Sequence, residues 1–220
     1  MNYVIRQGFP ISAALGLTAL AFAMLLGLVT GVTSAVWRGS TVDLTLRLTA
    51  TIGIALPNFV IAGVCIILFV FLIPIFPAAG WGSLRQLPLP AFCLGAPYAA
   101  YVARISRTSM LDVLSQDHIR TARAKGLGPR RVLLVHALRN AMLPVASFLG
   151  PAVAGILTGS LVVERIFAIP GLGSYFVEAA FIRDYTLSMG VVLLYTLLLY
   201  SMNFLVDVSY AYLDPRVELG

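Results

Sequence analysis

Charged residues are missing from five long stretches of the chain: 7–37, 48–84, 86–103, 140–163 and 185–206 contain no Asp, Glu, Lys or Arg. Each is near or above the roughly 18–20 residues an α-helix needs to cross the hydrocarbon core of a bilayer. The pattern predicts five transmembrane helices, over about 11–36, 48–73, 88–107, 141–163 and 186–207. Pro88, Pro90 and Pro97 fall in the first half of the third span, where membrane helices tolerate proline if neighbours re-satisfy the backbone. The fold class is therefore all-α: a polytopic bundle forming a single domain over 1–220.

The connecting segments carry their own patterns. Residues 74–87 (PIFPAAGWGSLRQL) read as a structured turn at the membrane interface. In 164–185, Pro170-Gly171-Leu172-Gly173 breaks the chain, and Ser174 is placed to cap a short helix with Tyr175, Phe176, Ala179 and Ala180 on one side. Helix three is expected to run out of the bilayer through Arg104 and Arg107 to about Leu114. Ser115 or Asp117 then caps a helix over about 117–125, stopped by Gly126. Gly128-Pro129 opens another helix, which continues through Arg130, Arg131, His136 and Arg139 towards Pro144. A helix as short as 117–125 is marginal alone and needs contacts to persist; Thr121, Ala122 and Ala124 offer small residues for close approach to another protein.

Composition agrees with the pattern. Of 220 residues, 60% are hydrophobic and 11% charged, with mean hydropathy +0.94; a soluble domain carries about 25% charged residues. The net charge of +6 is unevenly spread. Five crossings put eleven basic residues on one side (Arg38, Arg47, eight from Arg104 to Arg139, and Arg216) and four on the other. The positive-inside rule places the 104–139 loop and the C-terminus in the cytoplasm and the N-terminus outside. An outside start at MNYVIRQGFP is most simply explained by a further helix preceding it in the working protein. The basic residues hug helix ends, which argues against nucleic acid as partner.

Candidate chemistry is sparse. Cys65 and Cys93 lie inside apolar runs with no metal or redox spacing. His118 and His136 are isolated, so no metal site is expected. The single lysine, Lys125, is outside any GxxxxGK[ST] loop, so an ATP-hydrolysing site is not expected either. The polar residues Asn58, Asn140 and Asn203 are candidates for a translocation path, interhelical hydrogen bonding being the plainer reading. Gly27-x-x-x-Gly31 permits close helix packing.

Several of these stretches resemble a known family. HIRTARAKGLGPRRVLLVHALRNAMLP looks like the cytoplasmic coupling loop of type I ABC importer permeases of the dipeptide/oligopeptide/nickel branch. Val163-Glu-Arg-Ile-Phe-Ala-Ile-Pro-Gly-Leu-Gly173, Ile182-Arg-Asp-Tyr185 and Tyr212-Leu-Asp-Pro-Arg216 match the same branch, as do Ile54-Ala-Leu-Pro57 and Phe76-Pro-Ala-Ala-Gly80. Arg120-Thr121-Ala122 stands where the broader importer pattern has Glu-Ala-Ala, with Gly126 kept and His136-Ala-Leu-Arg139 in place of Ile-x-Leu-Pro. By the resemblance, a further helix and an outer segment are expected ahead of the position of Met1.

The resemblance implies an importer subunit for peptides, nickel or a related small solute. Its implied partners are a second permease subunit, two cytoplasmic ABC ATPases and an external solute-binding protein, with ATP used by the ATPases and no cofactor bound by this chain. It implies that residues 111–140 form the coupling loop, with Arg120, Thr121, Ala122, Arg123, Ala124, Lys125 and Gly126 engaging the ATPase, and that Pro170, Gly171, Gly173, Arg183 and Asp184 face the binding protein. The rivals are a stand-alone secondary transporter, an intramembrane enzyme, and a non-transporting truncated subunit.

Overall fold

The computed structural model describes residues 2–213, and all regular structure among them is helical. Helix α1 (Asn2–Val36) holds 35 residues. It starts well before the expected position, carrying Pro10 within it. A short turn leads to α2 (Thr41–Ala55) and α3 (Asn58–Ile66), which runs on as a π-helical turn over Ile67–Leu72. The continuous helix expected over 48–73 is corrected here: α2 and α3 are bent by 111° from each other. Pro57 disfavours helical geometry in the residue before it, and Leu56 is extended, with ψ 128°.

Helix α4 (Pro88–Leu114) has 27 residues, about 40 Å at ~1.5 Å per residue. It takes Pro88 and Pro90 in its first turn and tolerates Pro97 further in, and it ends where the sequence placed it. The short helix α5 (Asp117–Ala124) follows. Then α6 (Pro129–Arg131), a π-helical turn over Val132–Ala137 and α7 (Leu138–Ala141) lead into α8 (Leu143–Ile166). Helix α9 (Leu172–Ile182) precedes α10 (Tyr185–Leu213). Among the described residues two segments, Tyr3–Val36 and Tyr185–Leu205, are each long and apolar enough to cross a membrane, and counting each of two bent pairs as one span raises this to four. The third expected span, α4, has the length but carries Arg104 and Arg107 in its second half.

Helices α1 and α4 run side by side in the same direction and form the spine. A Cβ on Gly27 would lie 2.6 Å from Val102 Cβ, and one on Gly31 2.5 Å from the Ala103 carbonyl oxygen. The Gly27/Gly31 pair therefore sets this approach, as small residues do where packing rather than the hydrophobic effect drives association.

Two apolar clusters mark the ends of the bundle. One joins Leu15, Ala19, Ala62, Leu94, Ile156 and Phe167, with both cysteines buried in it. The 74–87 segment closes over this end: Trp81 packs on the cluster, and the Gly80 amide donates to the Phe167 carbonyl at 2.8 Å. The other cluster joins Ala35, Met110, Val113, Ile119, Ala122, Val132, Ala137 and Ala141, and it lies at the basic end. Helix α10 packs along α8 and leaves Met189, Leu193, Leu197, Tyr200 and Phe204 exposed. That stripe suits lipid or a second subunit.

Candidate coupling platform and outer docking face

Helix α5 keeps its shape by leaning inward. Ile119 and Ala122, three residues apart and so on one face, are 0% and 7% exposed. They sit in the basic-end cluster with Met110 and Val113 of α4 and Val132 of the following turn. Packing of this face supplies what so short a helix lacks in intrinsic stability. Arg120, Thr121, Arg123, Ala124 and Lys125 all face outward. Ala122 is thus part of the anchor, a correction to its expected place on a partner-facing surface; Thr121 and Ala124 remain as the small exposed residues.

The ends of α5 are well defined. At its start, the cap position is held by Gln116 in extended geometry, with no side-chain cap. This corrects the expected Ser115 or Asp117 cap: the Ser115 hydroxyl donates back to the Asp112 carbonyl at 2.7 Å, finishing α4, and Asp117 lies in the first turn, where its charge suits the helix dipole. At the far end Gly126 has φ 76°. Its amide donates to Arg123 O at 2.9 Å, and the Leu127 amide donates to Ala122 O at 3.3 Å. This pair of bonds is a Schellman motif, and Leu127 packs on the same cluster that buries Ile119 and Ala122. The outward face carries Arg120, 3.7 Å from Asp117 with both side chains exposed. Beside it, Val36, Leu114, Arg123, Pro129, Arg130, Val132 and Leu133 line a groove of about 410 Å³.

A polar clamp braces this platform. Asp43, 1% exposed, receives Arg107 Nε and Nη2 at 2.8 and 3.0 Å. It also receives the Ser34 hydroxyl at 2.6 Å and the Gly39 amide at 2.9 Å, with Arg47 Nε 3.4 Å away. One carboxylate so ties the end of α1, the α1–α2 turn, the start of α2 and α4. Two-pronged guanidinium–carboxylate pairing is the strong form of this contact.

A second knot lies at the opposite end. Glu164 of α8 is fully buried. Its Oε1 accepts from the Ser12 hydroxyl of α1 at 2.7 Å, and its Oε2 accepts from the amides of Gly173 and Ser174 at 2.8 and 3.3 Å. Ser12 Oγ in turn accepts from the Leu172 amide at 2.9 Å. Three of the amides left open at the start of α9 are therefore capped by side chains from α1 and α8. This corrects the expected local cap: Ser174 lies inside the helix, donating to Ile169 O at 2.7 Å. Ala180, expected on the packed side with Ala179, is exposed.

The expected docking residues divide. Pro170 and Arg183 are exposed, with Arg183 in left-handed geometry at φ 60°. Gly171 and Gly173 are buried; a Cβ on either would run into Glu164, so both serve packing, which corrects their placement on a partner-facing surface. Asp184 caps α10, accepting from the Leu187 amide at 3.0 Å.

The expected path residues occupy three different elements. Asn58 opens α3 at the bend. Asn140 is exposed on α7, 3.4 Å from His118 of α5, and Asn203 is half-buried in α10. No hydrogen bond among the described residues joins any two of them. In sequence, Arg107 is marked only where helix three leaves the bilayer and Glu164 only within the Val163–Gly173 motif, while Ser12 and Asp43 go unmarked. The available signals are a carboxylate directly after the charge-free run 140–163 and a lone acid between Arg38 and Arg47. Of the closing motif, Asp214, Pro215 and Arg216 lie outside the described residues.

Comparison with known proteins agrees with this geometry. Residues 9–219 match the family described as the binding-protein-dependent transport system inner membrane component. The chain is 47% identical over 219 residues to the dipeptide transport system permease protein DppB of Bacillus subtilis, covering 100% of this chain and 71% of that protein. It is 42% identical over 220 residues to the oligopeptide transport system permease protein OppB of Escherichia coli K12, covering 99% and 72%. A chain in a solved inward-facing structure of the MetNI methionine ABC transporter superposes with TM-score 0.81 at 18% identity, covering 96% of this chain and 97% of that one. At that identity the likeness establishes a shared fold. The all-helical bundle, its short helix between spans and its sequence relatives converge: this chain belongs to the binding-protein-dependent transport inner membrane component family of ABC importer permeases.

Proposed function

We propose that this chain is a membrane subunit of an ATP-driven importer that carries short peptides across the bacterial cytoplasmic membrane. The observation carrying this reading is α5, a cationic helix anchored by Ile119 and Ala122 whose outer face is left free at the basic end of the bundle. The relatives named for dipeptide and oligopeptide transport supply the cargo class. In this reading the basic end faces the cytoplasm, following the charge bias of the loops. Arg120, Arg123 and Lys125 meet acidic groups on a partner ATPase, and a second permease subunit completes the pathway. ATP hydrolysis belongs to the partners. Their closure displaces α5, and the platform passes the displacement into α4 and α1, a two-state element biased from a distance.

The test is uptake of a labelled dipeptide into vesicles holding this chain with its partner permease, ATPases and binding protein. Uptake should require ATP inside and loaded binding protein outside. Uptake by this chain alone, driven by a proton gradient without ATP, would support a secondary transporter and overturn the proposal.

A further inference from the structure

Glu164 is an expensive residue to keep. A carboxylate with no exposure in an apolar bundle is retained only where partners satisfy it, and here those partners come from separate elements. Ser12 belongs to α1 and Glu164 to α8, while the amides of Leu172, Gly173 and Ser174 open α9. The Tyr195 hydroxyl of α10 is buried beside the same group. Ser12 accepts from Leu172, so its own proton is left for Glu164, and the chain of bonds has one direction.

The surroundings are built around this arrangement. Gly171 and Gly173 have no room for a Cβ because Glu164 and Ser12 fill the space, and a Cβ on Gly8 of α1 would stand 3.0 Å from the Leu172 amide. Helix α9 also rests on α1, α8 and α10, but beyond Leu172 and Gly173 at its start its fully buried position is Ala179, and Phe181 and Ile182 are 78% and 67% exposed. Its N-terminal turn is where polar bonds join it to α1 and α8, and its C-terminal end, residues 180–182, is exposed.

We propose that Glu164 is the positioning residue through which α9 reports to the bundle: a load placed on α9 from outside is passed by the Glu164–Ser12 chain to α8 and α1. The load is docking of the peptide-loaded solute-binding protein, so the inference rests on the importer reading above. The apolar contacts of α9 with α1, α8 and α10 are non-directional and can slip. Hydrogen bonds to a buried charge are directional and costly to break, and they make this junction stiff.

The experiment is ATP hydrolysis by the complete reconstituted complex, with and without peptide-loaded binding protein, for wild type, Glu164→Gln and Ser12→Ala. Glu164→Gln keeps the shape but removes the charge and reverses the bond to Ser12. The Ser12 hydroxyl must then accept from the new amide and leave its own proton without the carboxylate. Stimulation by loaded binding protein should fall at least about tenfold in Glu164→Gln and by a smaller factor in Ser12→Ala, while basal hydrolysis and subunit assembly stay near wild type. Normal stimulation in both variants overturns the inference. Basal and stimulated rates falling in parallel also overturn it, because a purely structural role predicts that. Should Glu164→Gln fail to assemble, Ser12→Ala decides alone, with full stimulation counting against the relay. A wild-type complex indifferent to loaded binding protein contradicts the importer reading itself.

Discussion

Gly126 has φ 76° and no atom within 4 Å of where a Cβ would stand, so any substitution there acts through backbone strain and not through a clash. Left-handed geometry costs an L-residue roughly 1–2 kcal/mol, and a β-branched side chain fares worst. Gly126→Val should loosen the Schellman end of α5 while leaving the protein in the membrane. Peptide uptake per ATP hydrolysed should fall, with Gly126→Asn close to wild type; equal coupling in the Val variant would contradict the assigned role of this turn. Asp43 makes a different kind of prediction. Removing its charge leaves Arg107 uncompensated, but that side chain is 20% exposed, so the loss should fall below the ~3–5 kcal/mol of breaking a fully buried pair. Asp43→Asn should lower the unfolding temperature in detergent. The double variant with Arg107→Gln should lose less than the sum of the two single losses.

Element boundaries were legible where local chemistry sets them. The 117–125 expectation met α5 at Asp117–Ala124, because a Gly in left-handed geometry stops a helix whatever surrounds it. The 129 start and the run of α4 to Leu114 were readable for similar reasons, from Pro129 and from uninterrupted periodicity. The bend at Leu56–Pro57 was not, since proline is tolerated at Pro97 and Pro151 without ending a helix. Sequence alone does not say which proline will find its freed carbonyls satisfied. The polar knots were hidden by separation along the chain: Asp43 and Arg107 are 64 residues apart, and Ser12 and Glu164 are 152 apart. The facing of α5 followed only from its packing. Thr121, Ala122 and Ala124 look equivalent in sequence, yet just one of them shares a face with Ile119. An Ile119→Asp substitution buries an unpaired charge at that anchor, costing more than so short a helix can offset. Trypsin should then cut at Arg120, Arg123 and Lys125 much faster in detergent-solubilised protein, whereas the exposed Thr121→Asp should leave the rate unchanged. Equal rates for the two variants would show that Ile119 does not hold α5.

For the whole molecule, the account is one of two ends joined by a stiff spine. The α1–α4 pair, drawn together at Gly27 and Gly31, links the basic platform with the knot around Glu164. Broad exposed apolar surface on α2, α3 and α10 remains for lipid and a second subunit. Orientation can be read from single cysteines in a background where Cys65 and Cys93 are replaced by Ala. In intact cells a membrane-impermeant maleimide should label a cysteine at Leu84 or Pro170 and spare one at Thr121 until the cells are broken. The reverse pattern would invert the proposed topology. The most direct measurement is site-specific crosslinking from Thr121 and Ala124, the small residues on the free face of α5, within the assembled complex. Adducts with a nucleotide-hydrolysing subunit, absent when the probe sits at Leu84, are the predicted result. Adducts only with lipid or with other permease copies, in a complex that still imports peptide, would contradict the account.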